Sequence, residues 1–119
     1  MTGNKATIER YIDGFRRSDA AAILACLTDD VVWTIPGAVD IRGKSDFAGH
    51  IVDEGFRPHP SITIVRLIEE DDVVVVEGNV RTERTDGTVL QLAFCDVFEM
   101  RNGKIARLIS YLVPTGSAT

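Results

Sequence analysis

Asp96 is the residue whose setting most clearly suggests chemistry. In the run from Ala93 to Phe98, strand alternation puts it on the same face as Phe94 and Phe98. An unpaired carboxylate on such a face either loses much of its hydration energy or keeps its proton. A carboxyl group that keeps its proton can donate a hydrogen bond to an oxygen on which negative charge develops. The alternative is a structural ion pair with Arg81 across the predicted sheet, which would keep Asp96 ionised.

Two further candidates for acid–base chemistry lie on apolar helix faces. Tyr11 lies on the apolar face of the first predicted helix with Asp96 as a candidate partner, although a tyrosine there is also typical of a core with a satisfied hydroxyl. His50 shares a predicted helix face with Phe47 and Ile51. Because this histidine is the inward-facing group that titrates near neutrality, it is the best candidate base. A packed core histidine is the alternative.

Other residues are expected to line a hollow between helices and sheet. The aromatic candidates are Trp33, Phe47, Phe56, Phe94 and Phe98. The polar candidates are Glu77, Asn79, Arg81 and Ser110. Inward polar groups need partners, so they would orient a ligand oxygen or carboxylate. The alternatives are an ordinary core for the aromatic residues and an exposed strand end for the polar ones. Asp40, in a predicted loop, is a weaker candidate base, and His59 is expected to be exposed.

The first half of the chain has helical patterns. Apolar residues recur at one-turn spacing from Ile8 to Phe15, after the N-cap candidate Asn4 and before Arg16 and Arg17. A second helix is predicted to start at Ser18–Asp19 and to carry Ile23, Leu24 and Leu27. The third is predicted from Ser45 and ends before Pro58.

The second half has strand patterns. A short strand, Val31–Ile35, and a loop, Ala38–Lys44, precede four long strands: Ser61–Ile68, Val73–Thr85, Thr88–Met100 and Lys104–Val113. Long strands in a small sheet coil strongly and leave a hollow. The sequence therefore predicts one α+β domain, residues 1–119, cone-shaped, with three N-terminal helices packed in the concave face of a curved, mainly antiparallel sheet.

Turn chemistry predicts which faces the strands present. Asp86-Gly87 and Asn102-Gly103 read as two-residue hairpin turns. With Thr85 opposite Thr88, the residues of the preceding strand that face inward are polar, and the outer face is small and apolar. The predicted outer face consists of Val80, Thr82, Ala93, Cys95 and Val97. An exposed apolar face of this kind predicts a homodimer.

Composition excludes several classes of function. The 119 residues carry a net charge of -5 with no basic cluster, which argues against binding to nucleic acid or to a membrane surface. No apolar run approaches the ~20 residues of a membrane span. The two cysteines, Cys26 and Cys95, and the two histidines lack metal-ligand spacing. We therefore expect a cytoplasmic protein with reduced thiols, no metal and cofactor-free chemistry.

Several segments, in this order, resemble the nuclear-transport-factor-2-like superfamily over nearly the whole chain. They are Glu9-Arg10-Tyr11-Ile12, Leu27-Thr28-Asp29-Asp30-Val31, Ile35-Pro36, and the run from Cys95 to Ile105. That group includes ketosteroid isomerases, SnoaL-like polyketide cyclases and limonene-epoxide hydrolases. The resemblance implies the cone-shaped fold, but a fold of this kind hosts many functions.

The resemblance also implies roles for individual residues. In ketosteroid isomerases a tyrosine on the first helix and an aspartate on a late strand form an oxyanion hole, and Tyr11 and Asp96 match those places. Their base is a carboxylate where this chain has Ile35, which cannot take a proton. The catalytic set of limonene-epoxide hydrolases is absent. The matching positions read Val32, Thr34, Asn79, Arg81 and Ser110.

The leading hypothesis is a pocket for a small apolar or aromatic molecule, with proton transfer next to a carbonyl assisted by Asp96 and Tyr11. The substitution at Ile35 favours a first alternative, a pocket protein that binds without turnover. A second alternative is a dimeric interaction module without a functional pocket.

Overall fold

The computed structural model describes residues 3–51 and 55–116, in which three helices lie against a six-stranded sheet. The helices are α1 (Gly3–Arg16), α2 (Ala20–Leu24) and α3 (Lys44–Ala48). The strands are β1 (Leu27–Ile35), β2 (Val39–Arg42), β3 (Ser61–Glu70), β4 (Val73–Glu83), β5 (Val89–Arg101) and β6 (Lys104–Gly116). Their order is β2-β1-β6-β5-β4-β3, and all neighbours are antiparallel except the parallel pair β1 and β6. The predicted α+β class is confirmed.

The helices begin close to the predicted positions, but Asn4 and Ser45 lie inside α1 and α3 and do not cap them, and α2 ends earlier than predicted. Asp19 caps α2, because its Oδ1 accepts a hydrogen bond of 3.1 Å from the Ala22 amide. The prediction that Leu27 is helical is wrong: it begins β1, where it is fully buried. Asp29 and Asp30 also lie in β1.

A strand replaces part of the predicted loop Ala38–Lys44. Gly37, with φ of 81°, lies in the turn that reverses the chain after β1, and β2 then pairs with β1. Ile41 lies opposite Trp33 and is 2% exposed. The alternation of Val39 and Ile41 was the sequence signal for this strand.

The β4–β5 turn contains one more residue than predicted. The Arg84 amide donates to the Thr88 carbonyl at 2.8 Å, so three residues, not two, connect the strands. The last of them, Gly87, has φ of 92°, which suits the left-handed position of a three-residue hairpin loop. The Asp86 carboxylate accepts from the Thr88 amide and holds this turn. Pairing therefore shifts by one residue along the whole of β4.

This shift exchanges the two faces of β4, because neighbouring side chains on a strand point to opposite sides. Asn79 pairs with Ala93 and Arg81 with Gln91, on the outer face. Val80 pairs with Leu92, on the helix-covered face. The predicted inward placement of Glu77, Asn79 and Arg81 is therefore wrong, and so is the outward placement of Val80 and Thr82. The three polar side chains are exposed.

The core fills the space between the helices and the concave face. Fully buried members come from all three helical segments and from β1, β4, β5 and β6. The largest of them are Phe47, Phe98, Ile8, Ile23, Leu27, Ile105 and Leu108. In the described part of the chain, no helix is long and apolar enough to cross a membrane.

Candidate functional site

Asp96 lies on the concave face of β5, as the sequence predicts, and it has no charged partner there. Its neighbour on β4 is Val76 and its neighbour on β6 is Ser110. The Oδ1 atom is inaccessible to solvent and receives no hydrogen bond from any described residue. Burial raises the pKa of Asp96 to about 7, although the Ser110 hydroxyl acts to lower it. An ion pair with Arg81 is excluded, because Arg81 lies on the other face.

Ser110 and Trp33 form a polar contact beside this carboxyl group. The Trp33 indole N–H donates a hydrogen bond of 3.0 Å to Ser110 Oγ, between neighbouring strands β1 and β6. Ser110 is 4% exposed. The Trp33 ring also stacks on Phe47 of α3, with ring centroids 5.0 Å apart. Both polar groups are therefore held by packing as well as by the hydrogen bond.

Tyr11 approaches the same region from α1, with its ring in an aromatic cluster. Edge-to-face contacts join it to Phe15 at 5.1 Å, Phe47 at 6.4 Å and Phe98 at 5.4 Å between ring centroids. Burial raises the pKa of Tyr11 well above its usual value, and the charge of Asp96 raises it further. The Tyr11 hydroxyl is therefore close enough to Asp96 to be affected by its charge, and it is neutral near neutral pH.

Gly78 makes room for another of the predicted lining residues, Phe94. It lies opposite Phe94 on the inner face, where an added Cβ would be 2.7 Å from Phe94 Cζ and would also meet the Thr63 carbonyl oxygen. The ring therefore lies across a gap in β4 that only glycine provides. Gly78 is a residue of the site that was not predicted from the sequence, although a lone glycine inside an apolar strand pattern was an available signal.

The structure places His50 outside the site. Its side chain is exposed, and Nδ1 lies 3.0 Å from the Asp46 carbonyl oxygen, one turn back along the chain. The expected inward placement is wrong because α3 ends at Ala48, two residues before His50, so the helical spacing does not extend to it. Asp40 is also exposed, in β2, where it lies 3.4 Å from Arg42.

Of the predicted lining residues, Trp33, Phe47, Phe94, Phe98 and Ser110 lie on the inner side, whereas Asn79 and Arg81 do not. Phe56 is half-buried, and the guanidinium of Arg84 lies 5.5 Å from its ring centroid. It therefore lies at the end of β4, not beside Asp96.

Exposed apolar residues lie at the end of the concave face beyond Asp96. Leu112 pairs with Phe94 on this face yet is 42% exposed. Leu92 and Pro114 continue the same face and are partly buried and exposed, respectively. Exposed apolar residues on an otherwise covered face are expected where a ligand enters. Asp96 itself is partly accessible, although its Oδ1 is not.

Open clefts occur on the outer side as well. One of 570 Å³ is lined by residues of β1, β2 and the turn between them, together with Arg107. Another, of 300 Å³, includes Asn79 and Arg81. Neither is lined by Tyr11 or Asp96, so the outer clefts are separate from the buried carboxyl group.

Among the described residues, neither the cysteines nor a metal-binding cluster adds a group to the candidate site. Cys26, which is buried, and Cys95, which is half-buried, are both free. Within residues 3–51 and 55–116, no group of three or more His, Cys, Asp or Glu side chains could hold a metal ion.

Helices in the hollow of a strongly curved sheet, with the first strand parallel to the last, define the nuclear-transport-factor-2-like class. Solved structures of this fold are closely superimposable on the chain. They include an LEH-like epoxide hydrolase from M. tuberculosis (TM-score 0.84, 23% identity, 94% of this chain and 84% of that one). A proposed polyketide cyclase from Pseudomonas putida matches with a TM-score of 0.81 and 24% identity, over 93% of this chain and 91% of that one.

A protein of unknown function from Burkholderia pseudomallei, named as nuclear-transport-factor-2-like, matches with a TM-score of 0.85 and 23% identity, over 95% of this chain and 92% of that one. No curated protein shows significant sequence similarity to the chain. The model of the SnoaL-like domain matches residues 8–108, and the chain belongs to this family. At these identities the solved structures show the fold, not the reaction.

Proposed function

We propose that the chain binds a small, largely apolar molecule through one ligand oxygen at Asp96 and Tyr11, and moves a proton next to the carbonyl of that molecule without a cofactor. The observation that carries this proposal is the buried, unpartnered Oδ1 of Asp96 on an apolar face. A buried polar atom without a partner is rare in folded proteins, and a catalytic role is one of the explanations for it.

The chemistry follows from the environment of the two groups. With a pKa of about 7, Asp96 is present in both protonation states near neutrality. The protonated form can donate to a ligand oxygen, as the Tyr11 hydroxyl can. In a water-poor setting both hydrogen bonds strengthen as negative charge develops on that oxygen. Because Ile35 cannot take a proton and His50 is exposed, the ionised form of Asp96 is the candidate that takes the proton next to the carbonyl and later returns it, with the Tyr11 hydroxyl as the donor to the ligand oxygen in that step.

A phenol serves as a probe of oxyanion binding. We expect para-nitrophenol to quench Trp33, the single tryptophan of the chain. Asp96→Asn and Tyr11→Phe should each weaken binding by about 1–3 kcal/mol, as expected for the loss of a buried hydrogen-bond partner. The two losses should not add in the double variant, because both groups share one acceptor.

The chain offers matched controls. Tyr111→Phe removes a hydroxyl from a tyrosine that is 50% exposed on the outer face, and Asp40→Asn neutralises an exposed carboxylate. Both should bind as the wild type does, and so should His50→Gln. Unchanged binding in both Asp96→Asn and Tyr11→Phe would remove these residues from the site.

The second candidate function is binding without turnover. It is favoured because Ile35 cannot take a proton and because the His50 side chain is exposed outside the site. Exchange of the α-hydrogens of beta-tetralone with solvent deuterium, followed by NMR, distinguishes the two functions. Catalysed exchange that is lost in Asp96→Asn supports proton transfer. Binding of para-nitrophenol without any exchange supports the binder, and no binding at all supports the interaction module.

A further inference from the structure

The hydrogen bond between Trp33 and Ser110 has only one chemical direction. An indole N–H is a donor and has no acceptor, so Ser110 Oγ is the acceptor in this 3.0 Å contact. A serine hydroxyl has a single hydrogen, which the contact leaves available for another acceptor. Ser110 is 4% exposed, so that acceptor must come largely from the protein.

Asp96 is the acceptor that the strand register places opposite Ser110. It pairs with Ser110 across β5 and β6, and directly opposed residues of neighbouring strands share a face. We propose that Trp33 and Ser110 are positioning residues: the indole N–H occupies Ser110 Oγ so that the serine hydrogen is donated to Asp96. Because Asp96 Oδ1 has no partner, the hydroxyl acts on the other carboxylate oxygen.

The surroundings of Asp96 make this donor important. Tyr11 from α1 is the titratable group that faces it, and Cys26, after α2, acts on Tyr11 in turn. Val76 from β4 and Phe47 from α3, which stacks on Trp33, are apolar. No charged side chain among the described residues offsets the effect of burial on the pKa of Asp96; the Ser110 hydroxyl alone does so.

The donor therefore sets how much of Asp96 is ionised near neutral pH. This inference rests on the proposed function for its biological meaning, since it fixes the balance between acid and base forms of the proposed catalytic group. Its test does not depend on a ligand, because ionisation of Asp96 can be followed in the free protein.

NMR of the isotope-labelled Asp96 carboxyl carbon, assigned with Asp96→Asn, gives the titration midpoint directly. Ser110→Ala should bind the Asp96 proton about tenfold more tightly, so the midpoint moves to higher pH. Trp33→Phe keeps a ring against Phe47 but loses the N–H, and we expect a smaller change in the same direction, roughly threefold. Ser110→Thr keeps a hydroxyl and should restore the wild-type midpoint.

Thr34→Val is the matched control. This hydroxyl is next to Trp33 in β1 but on the outer face, opposite Asp40 and Ile109, so its loss should leave the midpoint unchanged. If Ser110→Ala does not fold, Ser110→Cys offers a similar size with a weak donor and should also raise the midpoint.

An unchanged or lowered midpoint in the Ser110 variant that folds would overturn the proposal. If the titration midpoint of Asp96 rises in that Ser110 variant but not in Trp33→Phe, the Trp33 indole does not take part in positioning Asp96. Failure of para-nitrophenol to bind, with the expected midpoints, would instead contradict the proposed function and leave the positioning of Asp96 standing.

Discussion

Asp96 combines burial with the absence of a counter-charge, and this has a consequence for stability. An aspartate in an unfolded chain ionises near pH ~4. In the folded protein the pKa of Asp96 is about 7. Between these two values folding takes up a proton, so the free energy of unfolding falls as the pH rises through this window and is then constant with respect to this group.

We therefore expect Asp96→Asn to flatten the pH dependence of stability. From about pH 5 to pH 8 the wild type should lose about 3 kcal/mol more stability than the variant, because that part of the window spans about two pH units. Urea unfolding of both proteins at the two pH values measures the difference. Parallel pH profiles would show that Asp96 ionises in the folded state as easily as an exposed carboxylate.

At the scale of elements, β4 depends on a missing side chain. Gly78 lets β3 come close and lets the Phe94 ring lie across the strand. A methyl group here meets both a backbone oxygen and a ring, so neither a rotamer change nor a small backbone shift relieves the whole contact.

Gly78→Ala should therefore reduce the free energy of unfolding by about 1–3 kcal/mol, the usual range for overpacking. Gly3→Ala is the control, because nothing lies within 4 Å of its added Cβ. Denaturant unfolding of both variants measures the effect. If Gly78→Ala is as stable as the wild type, the packing of Phe94 against the strand is looser than the structure shows.

At the scale of the whole molecule, the outer face of the sheet changes composition once the register is corrected. Ala93, Cys95 and Val97 stay on it, whereas Val80 and Thr82 leave it. Their place in the apolar surface is taken by residues of β6: Ile109, Tyr111 and Val113. Tyr111 and Val113 are 50% and 59% exposed. The homodimer remains a prediction, now centred on β5 and β6.

Val113→Glu tests this prediction with little risk to the core. A buried carboxylate at an interface is costly, so the variant should sediment as a monomer under conditions where the wild type is a dimer. Val65→Glu is the control. This valine is 52% exposed at a bulge in edge strand β3, away from the predicted interface. A wild type that sediments as a monomer at high protein concentration would contradict the predicted homodimer.

The sequence by itself determined the class of fold and the inward placement of Tyr11 and Asp96, the two main residues of the proposed site. Helical spacing put Tyr11 on the buried face of α1, and strand alternation put Asp96 between two phenylalanines. Both placements follow from local periodicity, which a short stretch of sequence is enough to reveal.

Only the tertiary structure decided what surrounds Asp96. The three-residue turn at Gly87 shifted β4 by one residue and moved Arg81 and Asn79 outward. A further irregularity, in the pairing of β5 with β6, moves Ser110 inward. Met100 pairs with Ile105, but Glu99 pairs with Arg107, so β6 has one extra residue at this point. The extra residue brings Ser110 rather than Ile109 opposite Asp96. Since side chains alternate with a period of two, each one-residue shift exchanges the faces of the strand beyond it. Turn length and bulges depend on how neighbouring strands coil and pack, and for that reason local pattern could not fix them.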